Sequence, residues 1–188
     1  MPYPKSVNAH EPPAAFVEAL TSLRTLDLPP GVSVEEIEAP TTLAPYAAAI
    51  RFTVDTPATS QPVHALLVVL HDPATQPGWM GTFRLIVHMH ATIEEEDIND
   101  PLFDQVAWSW LHSALQKSGA GYHSTAGTTT AIRSQSFGDL RLRGEEKQLE
   151  LRASWTPNTT DLKPHAQAIA QLLAFVAGIV DPAEALGA

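Results

Sequence analysis

The clearest pattern in the sequence is an alternation of apolar and other residues between positions 82 and 93. Successive side chains of a β-strand point to opposite faces of a sheet, so this alternation predicts a strand that is buried on one side. Its apolar side consists of Phe83, Leu85, Val87, Met89, Ala91 and Ile93. Its other side carries Arg84, His88 and His90 in one row. We expect the apolar side to pack against helices. A slip of one residue would exchange the two faces, so the burial of the apolar side tests this register.

Five further segments show the patterns of strands: 32–39, 46–55, 63–70, 122–137 and 148–155. The first is short and half polar, which is typical of an edge strand. The third is apolar on both faces except at His64, which favours a central position in the sheet. Gly127 interrupts the fourth segment, and we therefore predict either one strand or a bulged pair there.

Three segments repeat apolar residues at intervals of three and four, the spacing of amphipathic helices: 13–26, 101–117 and 161–180. The predicted order is α-β-β-β-β-α-β-β-α. Sequential amphipathic strands with short connections favour a mainly antiparallel sheet with helices packed on one face. The sequence therefore predicts a single α+β domain over residues 13–181. We expect residues 1–12 to be a flexible tail and residues 182–188 a fraying C-terminal tail.

Composition restricts the classes of function. The formal net charge of −10 and the lack of a lysine or arginine cluster argue against nucleic-acid binding. The sequence contains no cysteine, which excludes disulfides, thiolate zinc sites and cysteine nucleophiles. Its first residues lack the pattern of a signal peptide. The apolar run at 166–180 is shorter than the roughly 20 residues of a membrane span, so we expect a cytoplasmic, non-membrane protein.

Several short segments carry a resemblance to a known family. They are LAPYAAAI at 43–50, HDP at 71–73, WMGTFRLI at 79–86, DPLFDQVAWSWL at 100–111, FGDL at 137–140 and LRASWTP at 151–157. In this order they resemble the actinobacterial family called domain of unknown function 3000, over most of the chain. The resemblance implies an actinobacterial cytoplasmic protein, and the family name implies no assigned activity. The family pattern includes Arg84 and does not require the two histidines near it, so the resemblance implies no shared metal chemistry there.

The two histidines of the predicted strand raise the question of a metal site. His88 and His90 are close enough on one face to share a zinc ion, and His64 on the preceding strand could be a third ligand. The charge of Arg84 on the same face would repel a cation, so we expect no metal and no cofactor. The His71–Asp72 pair could suggest acid–base chemistry, but Asp-Pro is more simply a turn that ends a strand.

The predicted helix at 101–117 carries two apolar faces. Trp110 lies on the main stripe, and we expect it to be fully buried. Trp108 lies about half a turn away with His112 and Leu115. This second face is either covered within the chain, by the N-terminal tail, the loop at 27–31 or the last helix, or it is an exposed patch for a partner or for self-association.

Two classes of function follow from these surfaces. The first is a non-enzymatic binding or assembly module for an unknown protein or small ligand, with a homo-oligomer as one form of assembly. Its candidate surfaces are the sheet face with Arg84, His88 and His90 and the helix face with Trp108, His112 and Leu115. The second is a small metal-dependent or hydrolase-like enzyme that uses the same sheet residues. We expect the first class.

Overall fold

The computed structural model describes residues 11–54, 63–93, 100–139 and 145–187. These ranges contain the helices α1 (Ala14–Ser22), α2 (Phe103–Lys117), α3 (Lys163–Val176) and α4 (Pro182–Leu186). They also contain the strands β1 (Val32–Ile37), β2 (Tyr46–Val54), β3 (Val63–His71), β4 (Phe83–Thr92), β5 (Tyr122–Gln135) and β6 (Glu145–Pro157).

The strands form one open antiparallel sheet in the order β1-β2-β3-β4-β6-β5. The first four strands follow each other as neighbours. The hairpin of β5 and β6 then joins through its second strand, so that β6 lies beside β4 and β5 forms the far edge. The predicted α+β fold is therefore confirmed, with β1 at an edge and β3 inside the sheet. Strand β5 is one strand with a bulge between His123 and Ala126.

The core lies on one face of the sheet, where the strands meet α1, α2 and α3. Helix α3 is rich in alanine and leucine, which favour helices, and eight of its residues are buried. The register predicted for β4 is confirmed, because Leu85, Val87 and Met89 have no exposed surface and belong to this core. Arg84, His88 and His90 consequently lie on the opposite face.

Helix α2 differs from the prediction in which residues it buries. Trp110 is only half-buried, and it contacts Phe103 and Phe175 at ring-centroid distances of 6.0 and 5.2 Å. Leu111 and Leu115 are completely buried instead. The physical reason is that α2 packs against both α3 and β5, so its buried surface is wider than a single stripe.

The C-terminal segment also departs from the predicted fraying tail. Residues 182–186 form α4, which begins where the Asp181 carboxylate accepts a hydrogen bond from the Glu184 N–H at 2.8 Å. Ala185 is buried against the rest of the fold. Most of the predicted N-terminal tail, residues 1–10, lies outside the described residues.

Candidate functional site

The candidate site is the face of the sheet opposite the core, which we call the open face. The described helices pack on the other side, with the core side chains of the strands. Side chains at alternate positions of five strands form the exposed part of the open face: Glu35, Arg51, His64, Leu66, Val68, Ile86, His88, His90, Gln148, Glu150 and Arg152. All of them are half-buried or exposed.

A line of apolar side chains crosses the open face at right angles to the strands. Ile37 lies opposite Ala49, Ala49 opposite Val68, and Val68 opposite Ile86. We call these four residues the apolar row. On β6 the line continues with the polar Ser154, so the apolar row itself crosses four strands and spans about 14 Å at 4.8 Å per strand. The apolar row is therefore a feature of the assembled sheet.

A polar line runs beside the apolar row. Arg51 Nη1 lies 3.0 Å from Glu35 Oε1 at one side of the sheet. On β6, Glu150 Oε1 lies 2.5 Å from Arg152 Nη2 and 2.6 Å from Nε2 of His88. The pKa of Glu150 lies below its usual value, mainly because Arg152 donates a hydrogen bond to it. These ion pairs are partly exposed, so they contribute little to stability and remain accessible to a ligand.

The histidines of the open face do not share a centre. His88 bonds to Glu150, whereas His90 Nε2 lies 2.8 Å from the side-chain oxygen of Gln148 and its ring stacks on His64 at 5.7 Å. In the described ranges, no three side chains of histidine, cysteine, aspartate or glutamate are grouped so that they could hold a metal ion. The predicted third ligand, His64, is therefore near the pair without completing a site.

Arg84 is an internal link rather than part of the accessible surface. It is 9% exposed, and its Nη1 donates hydrogen bonds to the Ser124 carbonyl at 2.7 Å and the Thr156 hydroxyl at 3.2 Å. Its Nη2 donates to the Ser154 carbonyl at 3.3 Å and to the Ser154 hydroxyl at 2.7 Å. Burial lowers its pKa. These bonds connect β4 to β5 and β6, which corrects the expectation that Arg84 lies with His88 and His90 on a ligand surface.

A second polar cluster, which the sequence analysis did not identify, continues from Arg84 to the end of the sheet. The Thr156 hydroxyl donates to the carbonyl of Trp79. His123 places Nδ1 2.7 Å from the side-chain oxygen of Asn158 and Nε2 3.2 Å from the carbonyl of Met80. The cluster borders a shallow cleft of about 480 Å³. Its polar atoms bond to one another, so it anchors the 72–82 connection and the start of β5.

The pair His71–Asp72 is structural. His71 is buried, its Nδ1 lies 3.0 Å from the Thr82 carbonyl, and its ring stacks on Phe83 at 4.2 Å. Burial lowers its pKa. The Asp72 carboxylate accepts a hydrogen bond from the N–H of Ala74, two residues later. This is an Asx-turn, and it confirms the interpretation of the pair as a strand-ending turn.

The second face of α2 is covered within the chain, by an element that the sequence analysis did not consider. Trp108 packs on Gly127 of β5, where an added Cβ would lie 2.6 Å from the tryptophan ring. His112 contacts the Trp108 ring edge-on at 5.2 Å and places Nδ1 2.7 Å from the hydroxyl of Tyr122. Burial raises the pKa of Tyr122. Because Leu115 is completely buried, it cannot contribute to a partner surface.

Comparisons with known proteins place nearly the whole chain in one family. No helix in the described ranges is long and apolar enough to cross a membrane. Searches among curated proteins and among solved structures found no match. The model of the family described as "Protein of unknown function (DUF3000)" matches residues 12–185. Since this match covers nearly the entire sequence, the chain belongs to the DUF3000 family of proteins of unknown function.

Proposed function

We propose that this protein is a non-enzymatic binding module that holds a partner protein on its open face. The observation that carries the proposal is the apolar row, which lies on the side of the sheet away from the described helices. Ile37, Val68 and Ile86 remain partly exposed there, and Ala49 of the same row is 1% exposed. Leu67 and Val87, by contrast, are completely buried on the other side of the sheet. Apolar surface grouped in this way is typical of an interaction site.

The dimensions of the open face suit a protein partner. Strands of nine residues are about 30 Å long, and the six strands span about 24 Å. The whole sheet face is therefore close to the roughly 800 Å² that each partner contributes to a standard protein interface. Its accessible part is smaller, because Ala47, Ala49, Leu70 and Arg84 at one end are buried. Covering the partly exposed Leu66, Val68 and Ile86 would contribute at most about 0.5–1 kcal/mol each, since full burial of such a side chain is worth roughly 1.5–3 kcal/mol.

The charge of the open face indicates the chemistry of the partner. In the described ranges its accessible charged residues are two arginines, Arg51 and Arg152, and two glutamates, Glu35 and Glu150, because Arg84 is buried. With neutral histidines the accessible face therefore carries no net charge, whereas the whole chain carries −10. An acidic partner therefore meets less repulsion on this face than the net charge of the whole chain would cause. We infer a partner surface with an apolar centre and acidic residues beside it.

The alternative of a small metal-dependent or hydrolase-like enzyme around Arg84, His88 and His90 has less support. Arg84 uses its guanidinium to connect three strands, and the two histidines bond to different side chains of β6. A catalytic group must reach the reacting atoms together with its partners. These three side chains converge on no common point.

A site-specific cross-linking experiment tests the proposal. A photoreactive amino acid replaces Val68 on the open face or, as a matched control, Val106, which is 41% exposed on α2. We expect a partner to cross-link from position 68 only. The identified partner is then purified, and calorimetry measures its binding to the native protein, to Ile86→Glu and to Val106→Glu.

Ile86→Glu should weaken this binding at least tenfold, because it places a negative charge in the apolar row. Val106→Glu should leave the affinity unchanged. Equal cross-linking from both positions, or equal affinity of both variants, would contradict the proposal. A cross-link between two copies would mean that the partner on the open face is a second copy of this chain rather than an acidic protein.

We further propose that the protein acts in the cytoplasm of an actinobacterium. The support is the absence of cysteine, which is compatible with a reducing compartment, together with the resemblance of its tryptophan-bearing segments to an actinobacterial family. Fractionation of source cells with an antibody against the protein tests the location, and recovery in the membrane or secreted fraction would contradict it.

A further inference from the structure

Strand β5 has one edge with no partner among the described strands. It pairs with β6 on one side, and the register is continuous from Ala126 to Gln135. Eight of these ten residues are exposed. Ten residues extend about 33 Å, and about half of their N–H and C=O groups, roughly five of each, point away from β6. This edge therefore presents a long row of main-chain groups that no strand of the described ranges pairs with.

The other edge of the sheet carries the devices that natural proteins use against unwanted strand pairing, such as short length, charge and proline. Strand β1 has only six residues and includes Glu35 and Glu36, with Pro40 shortly after it. Between positions 126 and 135, β5 has one charged residue, Arg133, and no proline. Its bulge lies at the beginning of the strand, outside the regular stretch.

The first half of this edge of β5 is also anchored to the rest of the fold. Trp108 of α2 packs against Gly127 from the core side, and the Thr129 hydroxyl donates to the carbonyl of Asp104 at 3.3 Å. At the start of the strand, the carbonyl of Ser124 accepts a hydrogen bond from Arg84. A strand that is already ordered loses little conformational entropy when another strand pairs with it.

We propose that the free edge of β5 accepts an extended segment of a partner protein as a seventh strand of the sheet. Main-chain hydrogen bonds to an exposed edge are a known mode of peptide recognition. The segment should contain no proline at the paired positions, few charges and several β-branched residues, since these side chains favour strands. This inference is independent of the function proposed for the open face.

Two observations favour a peptide segment over a second copy of the chain. An edge-to-edge contact along 33 Å of a sheet about 10 Å thick covers only about 330 Å² per copy, less than half of the roughly 800 Å² in a standard interface. Two copies would also repel each other, since each carries −10. The side chains of an extended segment can contact both faces of β5. Such a segment also avoids the charge repulsion between two folded acidic proteins.

The test begins with a phage-displayed library of random ten-residue peptides, selected on the full-length protein. The strongest peptide is synthesised in three forms, one unmodified and two with N-methyl groups on alternate sets of amides. Because the N–H groups of a strand alternate between its two sides, only one set faces β5. We expect methylation of that set to weaken binding at least tenfold and methylation of the other set to have little effect.

Two proline variants provide the control on the protein. One of the neighbouring residues Thr128 and Thr129 directs its N–H to β6, and the other directs it to the free edge. Proline at the residue whose N–H faces β6 should lower the melting temperature. Proline at the residue whose N–H faces the free edge should preserve the fold and weaken peptide binding at least tenfold. Ile86→Glu should not change peptide binding, which separates this inference from the one about the open face.

Three outcomes would overturn the proposal. The first is that no peptide is enriched on the native protein. The second is equal binding of both methylated forms, or full binding by the folded proline variant. The third is a dimer in light scattering that the folded proline variant loses, which would make a second copy the occupant of the edge.

Discussion

Two histidines on the core side of the sheet show how burial alone decides the chemistry of a residue. His71 is 2% and His165 is 1% exposed, and neither contacts a carboxylate at hydrogen-bond distance among the described residues. His165 accepts a hydrogen bond from the indole N–H of Trp155 at 3.1 Å, which requires a neutral Nδ1. Burial lowers the pKa of His165 to about 4. Both side chains are therefore neutral parts of the core.

This burial makes the fold sensitive to mild acid. A folded-state pKa below the unfolded value of 6.5 means that His165 stabilises the fold above about pH 6.5 and loses this contribution as the pH falls toward 4. His71 acts in the same direction. We expect the free energy of unfolding to fall by about 2 kcal/mol between pH 7.5 and pH 5 from His165 alone. Urea titrations at several pH values measure this change in the free energy of unfolding.

The variant His165→Gln, which does not titrate in this range, is the control for that prediction. It should be less stable than the native protein at neutral pH, but its stability should change less between pH 7.5 and pH 5. If the native protein and the variant show the same dependence on pH, His165 is not the source of the acid sensitivity.

A second prediction at the residue scale concerns Arg84. Its four hydrogen bonds include two to backbone carbonyls, of Ser124 and Ser154. A lysine cannot reproduce this planar set of donors, and each buried group left without a partner costs roughly 1–3 kcal/mol. Arg84→Lys should therefore destabilise the fold by at least about 1 kcal/mol in urea denaturation.

Arg152→Lys is the matched control, because Arg152 lies on the same face with 63% of its side chain exposed. An exposed ion pair contributes about 0–1 kcal/mol, so this variant should remain close to native stability. Similar small losses in both variants would mean that Arg84 does not connect the three strands.

At the scale of elements, the contact of α2 with β5 depends on a glycine. A Cβ at position 127 would lie 2.3 Å from the carbonyl oxygen of Arg152 on the neighbouring strand and 2.6 Å from Trp108. The first neighbour is backbone and cannot rotate away. Gly127→Ala should therefore cost roughly 1–3 kcal/mol, the usual range for overpacking, as measured by chemical denaturation.

Gly121→Ala provides the comparison for this prediction. A Cβ at position 121 would lie 3.0 Å from the side-chain amide of Asn158, which can move. Its effect on stability should therefore be smaller than that of Gly127→Ala. Equal effects of the two substitutions would show that the close approach of the Trp108 ring and the Arg152 carbonyl to Gly127 does not limit the packing.

For the molecule as a whole, the sheet divides the protein into a side packed with helices and a side without them. Polar and charged residues on the second side need no ligand to be stable, since they pair across neighbouring strands. We predict that the protein binds no metal there. Elemental analysis of protein purified without an affinity tag should find no stoichiometric zinc. Near-stoichiometric zinc that is lost in a His88→Ala/His90→Ala variant would contradict this prediction.

The local pattern of the sequence was sufficient to predict the strands, the order of the longer helices and the two faces of β4. The reason is that the direction of a side chain in a strand depends only on its position along that strand. His88 and His90 therefore lie on the predicted face, opposite the buried Leu85 and Val87.

Only the tertiary structure decided which surfaces remain accessible. Arg84 lies on the same face of β4 as His88, yet its guanidinium is buried and bonds to β5 and β6. Its partner Thr156 bonds in turn to the 72–82 connection. Leu115 is buried and Trp108 is covered because β6 pairs with β4 and brings β5 beneath α2. The free edge of β5 and the apolar row arise in the same way. Each depends on which strands become neighbours, and that choice is made by contacts between residues far apart in the chain.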